Sequence, residues 1–186
     1  ELQNISFTYA TRKQKTISNL SMKIKSGQSI GIIGTSGSGK STLLDILLGL
    51  LDIDSGQILY NDKQTNSSYL TEWRSKVAYL PQKVFIIDET LRNNIALGEN
   101  NSEIDTFKLN KAIKQSQLND LIKELPKGVD TILGDKGIQL SGGQLQRIAL
   151  ARAFYFERDV LIMDEATSSL DNETEAEIVN EIKNLK

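Results

Sequence analysis

The stretch GTSGSGKST, residues 34–42, lies between two apolar runs, SIGII at 29–33 and LLDILLGL at 43–50. Gly34, Gly39, Lys40 and Ser41 occupy the fixed positions of the pattern G-x-x-x-x-G-K-[ST]. A triphosphate is large and highly charged. A backbone that holds one must wrap around it and turn several N–H groups inward. Glycine permits the dihedrals and the close approach. A helix starting near Gly39 adds the positive end of its dipole. Lys40 then reaches the β- and γ-phosphates, and the Ser41 hydroxyl ligates Mg²⁺. The bland alternative is a Gly/Ser-rich turn that fits by accident. The strand-like run before the loop and the helix-like run after it argue against that.

A metal beside a triphosphate needs an acidic partner, and DVLIMDE at 159–165 offers one. Its apolar strand carries Asp164 and Glu165 to the C-terminal end, where ligands sit in open α/β sheets. Asp164 holds Mg²⁺ through water, and Glu165 aligns and polarises the attacking water. An apolar strand ending in two carboxylates is a weak signal alone. Its weight comes from following a phosphate loop. LSGGQLQR at 140–147 presents a second amide-rich helix start. Either it is a plain Gly-Gly turn, or it caps the γ-phosphate of a nucleotide held by another copy of the chain.

Around these motifs the chain alternates strand and helix patterns. Ile5, Phe7 and Tyr9 fall at period two, as do Leu20, Met22 and Ile24, predicting two strands. QSIGIIG at 28–34 reads as a buried strand, and STLLDILLGLL at 41–51 as a buried helix. SGQILYND and SKVAYLPQ read as strands, the second ended by Pro81. Residues 83–146 are richer in Asn, Lys and Gln. Ile104, Phe107, Ala112, Ile113, Leu118, Leu121, Ile122 and Leu125 predict helices with one apolar face there, with a break at PKGVD, 126–130. GQLQRIALARAFYFE reads as a helix of strong formers. A last helix follows, capped by Asp171 or Asn172, with Glu173 and Glu175 at its positive end.

Composition bounds the class. A net charge of −2 supplies no global basic field for nucleic acid. The absence of cysteine excludes disulfides and thiolate metal sites. No apolar run reaches the roughly 18 residues that span a bilayer, and no internal repeat is present.

The motifs, taken in order, resemble the nucleotide-binding domain of ATP-binding cassette (ABC) transporters over nearly the whole chain. GTSGSGKST resembles the Walker A loop, so the resemblance assigns Gly34, Thr35, Ser36, Gly37, Ser38, Gly39, Lys40, Ser41 and Thr42 to ATP. Tyr9 in FTY looks like the aromatic that stacks on adenine. Gln82 in YLPQ is similar to the Q-loop glutamine, which contacts Mg²⁺ and senses the membrane domain. LSGGQ resembles the family signature, with Ser141, Gly142, Gly143 and Gln144 facing the γ-phosphate of a partner's nucleotide. VLIMDE resembles Walker B, with Asp164 on the metal and Glu165 catalytic, and SSLD at 168–171 resembles the D-loop. TLRNNIALG at 90–98 and TILGDKG at 131–137 resemble segments of exporters, the second being one that importers usually lack.

The resemblance implies an α/β fold: a P-loop NTPase core with an N-terminal antiparallel β subdomain and an inserted α-helical subdomain. Residues 1–82 and 147–186 form the core, and 83–146 the insert with the signature at its end. It implies an ATPase that powers an exporter or lipid flippase, with ATP and Mg²⁺ as ligands. A second cassette, identical or related, would be one partner. A transmembrane domain fused upstream would be the other, placing the chain on the cytoplasmic face of a membrane. Nucleic acid is not expected. A soluble ABC ATPase and a non-catalytic ATP sensor are the alternatives, disfavoured by TILGDKG and by the intact Glu165 and LSGGQ. One family element is missing. A switch histidine is expected some twenty-odd residues past the D-loop, and the sequence contains no histidine. The chain is therefore expected to be cut from a longer one and to hydrolyse ATP poorly alone.

Overall fold

The computed structural model describes residues 1–64, 67–164 and 171–183, without the side chains of 67–69. The chain forms two compact units, Glu1–Val77 and Ala78–Lys186, each with its own apolar core.

In the first unit, strands β1 (Leu2–Phe7) and β2 (Ile17–Met22) precede helix α1 (Lys40–Leu47). Strands β3 (Ser55–Tyr60) and β4 (Lys63–Gln64) and helix α2 (Ser67–Lys76) follow. The strands form an antiparallel sheet in the order β2-β1-β3-β4. Strict alternation would put Leu2 and Ile5 on opposite faces, yet both are buried in one core with Phe7, Ile17, Leu43 and Ile46. The pairings Leu2↔Met22, Ile5↔Leu20 and Phe7↔Ile17 slip twice. Asn4 and Asn19 absorb the slips at φ 49° and 48°, as bulge residues in a backbone region asparagine tolerates. Each is held by a serine across the ribbon. Asn4 N–H donates to Ser21 Oγ at 2.9 Å, and Ser21 Oγ donates to Asn4 Oδ1 at 3.0 Å. Asn19 N–H donates to Ser6 Oγ at 3.1 Å, and Ser6 Oγ donates back to Asn19 Oδ1 at 3.3 Å.

Three expectations change here. Tyr9 lies just beyond β1, and β2 begins earlier than its alternation suggests, leaving Ile24 exposed. The run 28–33 forms no assigned strand, and Ile30, Ile32 and Ile33 are exposed. Among the described residues no neighbouring strand pairs with it, and an apolar run without a ladder partner is not a strand. Helix α2 has no counterpart in the sequence reading, because Leu70 and Trp73 alone are too few apolar residues to reveal a helical period.

In the second unit, which takes all of β5 (Val77–Leu80) but its first residue, β5 pairs with β6 (Val160–Met163). Between them run α3 (Leu91–Ile95), α4 (Thr106–Gln115), α5 (Asn119–Glu124), a 3₁₀ turn at Gly128–Asp130 and α6 (Gly142–Tyr155); α7 (Asn172–Lys183) comes last. Leu80, Leu91, Ile95, Leu109, Leu118, Ile148, Leu150 and Ile178 are buried in one core. Helix α4 starts at Asp105, whose carboxylate accepts from Phe107 N–H at 2.8 Å and Lys108 N–H at 3.1 Å. Its buried face is Leu109, Ala112 and Ile113; Phe107 is 79% exposed, contrary to the predicted face. Asp171, and not Asn172, caps α7. Its carboxylate accepts from Thr174 N–H at 2.9 Å and Thr174 Oγ1 at 2.8 Å.

Candidate nucleotide-binding site

The glycine loop turns tightly before α1. Ser38 N–H donates to the Thr35 carbonyl at 3.2 Å, and Gly39 N-caps α1 with φ 96°. A side chain at Gly39 would be strained by that φ and crowded as well, its Cβ 3.2 Å from the Thr16 carbonyl and from Ile17 Cδ1. A Cβ at Gly34 would lie 2.6 Å from Ser38 Oγ. No side chain caps α1. The first N–H groups of a helix have no intrahelical partner, so the amides of its first turn are available to an anion. Ser41 is exposed and Thr42 buried.

Lys40 folds back over the loop. Its Nζ donates to the Gly34 carbonyl at 2.8 Å and to the Thr35 carbonyl at 3.0 Å. The ammonium thus closes the turn whose amides it would share with a phosphate. The Tyr9 and Thr42 hydroxyls are 3.1 Å apart, and the Tyr9 ring meets Phe7 edge-on at 4.9 Å between centroids. The Arg12 guanidinium carbon lies 6.0 Å from the same ring's centroid. One unit therefore brings Tyr9 together with residues 34–42.

The remaining site residues belong to the other unit. Asp164 follows β6, and its N–H donates to the Leu80 carbonyl at 2.9 Å. That bond sets it beside the end of β5, two residues before the exposed Gln82. Glu165 and D-loop residues 168–170 lie outside the described residues. Ser141 N-caps α6 in a reciprocal box: Gln144 N–H donates to Ser141 Oγ at 3.3 Å, and Ser141 N–H donates to Gln144 Oε1 at 2.8 Å. The Gln144 amide oxygen thereby stands where an anion would meet the Ser141 amide, and the Ser141 hydroxyl keeps its own proton to donate.

The two segments TLRNNIALG and TILGDKG lie side by side. Leu91 N–H donates to the Thr131 carbonyl at 3.0 Å, and Leu133 N–H to the Glu89 carbonyl at 2.9 Å. Arg92 pairs with Asp130 at 2.9 Å. Beneath them is Asn94, fully buried, which sequence reasoning did not single out. Its amide donates to the carbonyls of Ile87, Glu89 and Thr90. Its Oδ1 accepts from Ile87 N–H at 3.0 Å and from Arg152 of α6 at 3.2 Å. Burial pushes the Arg152 guanidinium down to about 10. The signal for Asn94 was a polar residue inside an apolar helical pattern, which burial requires to be fully bonded.

Among the described residues no cluster of three or more His, Cys, Asp or Glu side chains forms. The uncapped helix start, the left-handed and crowded Gly39 and the lysine over the loop fit a nucleotide phosphate.

A helix that leaves its first amides to a ligand, behind a glycine loop with a lysine, is the arrangement of P-loop nucleotide-binding proteins. Comparison with known proteins narrows that class. Residues 17–168 match the family described as ABC transporter, and the chain belongs to it. It is 38% identical, over its whole length, to 32% of the ATP-dependent lipid A-core flippase of Photobacterium profundum. It is 39% identical over 178 residues to the protein of the same name from Salmonella typhimurium, covering 96% of this chain and 30% of that one. The structure of a bacterial Atm1-family ABC exporter with ATP bound superposes with a TM-score of 0.90 at 32% identity, covering 99% of this chain and 32% of that one. The chain thus spans about a third of the length of these relatives.

Proposed function

We propose that this chain is the ATP-binding and hydrolysing cassette of a membrane exporter or lipid flippase. The observation that carries the reading is the loop 34–42, folded over an uncapped helix beside Tyr9, in a chain that matches an ATP-bound exporter. Tyr9 stacks on adenine. Residues 34–42 hold the phosphates, with Lys40 moving its ammonium from the Gly34 and Thr35 carbonyls to the β- and γ-phosphate oxygens.

Ser41, Gln82 and Asp164 are the protein's contacts to Mg²⁺, the last through water. The metal, when bound, neutralises charge on the phosphates. Glu165 orients a water and accepts its proton as the γ-phosphoryl passes to the water oxygen and ADP leaves. Residues 83–146 form the lobe that presents the signature. Ser141, Gly142, Gly143 and Gln144 meet the γ-phosphate held by a second, identical or related cassette. Nucleotide then favours the closed pair over the open one by its differential affinity for the two.

The second partner is a transmembrane domain, fused upstream, at the cytoplasmic face of a membrane. The paired segments 90–98 and 131–137 support this, with Ile132 inside the second 50% exposed and Phe85, five residues before the first, 69% exposed. Their rims of backbone hydrogen bonds give such a partner a fixed surface. No helix among the described residues is long and apolar enough to cross a membrane. With no histidine among its 186 residues, the chain alone binds ATP and turns it over slowly in this reading.

The test uses the full-length protein in lipid vesicles. Hydrolysis should require Mg·ATP, and a reporter lipid or lipophilic solute should cross the bilayer only while hydrolysis proceeds. Hydrolysis that never couples to movement of any such reporter would reject the exporter reading, and no hydrolysis at all would reject the ATPase reading.

A further inference from the structure

Helix α1 is fixed at its C-terminal end by a neighbouring helix. Its last turn closes on a left-handed glycine. Gly49 N–H donates to the Ile46 carbonyl at 3.0 Å and Leu50 N–H to the Asp45 carbonyl at 2.8 Å, with Gly49 at φ 68°. That motif does not use the Leu47 and Gly49 carbonyls. Both are taken by α2. Trp73 Nε1 donates to the Leu47 carbonyl at 2.6 Å, and the Arg74 guanidinium donates to the Gly49 carbonyl. Leu70 closes the same contact, because a Cβ at Gly49 would lie 2.8 Å from Leu70 Cδ2 and 3.6 Å from Arg74 Nε. Tyr60 of β3 braces the indole, with ring centroids 5.1 Å apart.

A helix dipole places about half a negative charge at the C-terminal end. Arg74 sets a cation on that end, and Trp73 fixes the carbonyl before it. An eight-residue helix is a rod of only about 12 Å, so tilting one end displaces the other. The other end here is Gly39–Thr42, with its uncapped amides. We propose that Trp73 and Arg74 are positioning residues of the nucleotide site, clamping the C-terminal end of α1 and so aiming its N-terminal amides at the phosphates. The inference rests on the reading that residues 34–42 bind ATP.

The test is Mg·ATP affinity, by calorimetry on the full-length protein, with the thermal midpoint of each variant measured alongside. Trp73→Phe keeps the ring and removes the donor. Arg74→Met keeps the stem and removes the charge at an exposed position, and Arg74→Lys restores a cationic donor. Trp73→Phe and Arg74→Met should each weaken binding about three- to fivefold, the size of one charge–dipole or hydrogen-bond loss. Arg74→Lys should return affinity to within about twofold of wild type. A cap that only stabilises the fold would lower the midpoint and leave affinity alone. Unchanged affinity in Trp73→Phe and Arg74→Met, or a loss that Arg74→Lys does not restore, overturns this inference alone. A wild type that binds no Mg·ATP overturns the nucleotide reading and the inference together.

Discussion

The hydroxyl oxygens of Tyr9 and Thr42 lie 3.1 Å apart, joining the ring proposed for adenine to the first turn of the phosphate helix. Tyr9→Phe keeps the ring and breaks that link, leaving the buried Thr42 hydroxyl without it. ATP affinity should fall about two- to fivefold, the worth of one hydrogen bond. Tyr9→Ala removes the platform too and should cost roughly tenfold. Fluorescent-nucleotide titration of both variants checks the order. Equal affinity in wild type and Tyr9→Ala would remove Tyr9 from the site.

Glu165→Gln should bind Mg·ATP with near wild-type affinity while hydrolysis falls on the order of 10²–10³-fold, the usual effect of removing one electrostatic group from a reacting centre. Steady-state phosphate release beside equilibrium binding separates the two. Wild-type turnover would mean that another group polarises the water.

Asn94→Ala strips a buried hub from three carbonyls, one N–H and the largely buried Arg152. Unsatisfied buried groups cost about 1–3 kcal/mol each, so the second unit should lose at least about 2 kcal/mol in denaturant unfolding. Hydrogen exchange should rise first at 87–91 and 131–133, the paired loop segments that Asn94 holds. A loss spread evenly over α4 and α5 would contradict that local role.

Asp171 gives a pH signature. Hydrogen bonds from Thr174 N–H and Oγ1 hold its carboxyl below the ordinary aspartate value, which is about 3.9. A depressed carboxyl stabilises the fold above its unfolded value, and the contribution fades as pH falls through the folded one. Exchange protection in the first turn of α7 should therefore stay level from about pH 7 to 5 and decline below about 4. Asp171→Asn retains a capping oxygen and should abolish the decline.

The sequence made the chemistry more legible than the scaffold. A tight turn into a helix is written in consecutive residues, so the helix starts at Gly39–Lys40 and Ser141–Gly142 could be read directly, whereas the Ser141–Gln144 box was not singled out. The run between turns at 55–62 found β3, and alternation found β1 and β2. It misjudged the reach of β1 and β2, because the bulges at Asn4 and Asn19 shift register by one residue and no period shows that. The apolar run at 28–33 looked like a strand, but a strand is defined by its partner, and none among the described residues pairs with it. Helix α2 and Asn94 were missed for the same kind of reason. Helix α2 bonds carbonyls some 25 residues back, at Leu47 and Gly49, and Asn94 bonds the irregular backbone of Ile87–Thr90 just before its own helix, and neither backbone shape shows in an apolar period.

The most direct measurement is isothermal titration of Mg·ATP into the full-length protein and its Lys40→Ala variant. Wild type should take up one nucleotide per copy of this chain, and Lys40→Ala should bind at least about 10²-fold more weakly, since it lacks the one ammonium that reaches both phosphates. Equal heats and affinities for the two proteins, or no binding by wild type, would contradict a nucleotide held by residues 34–42.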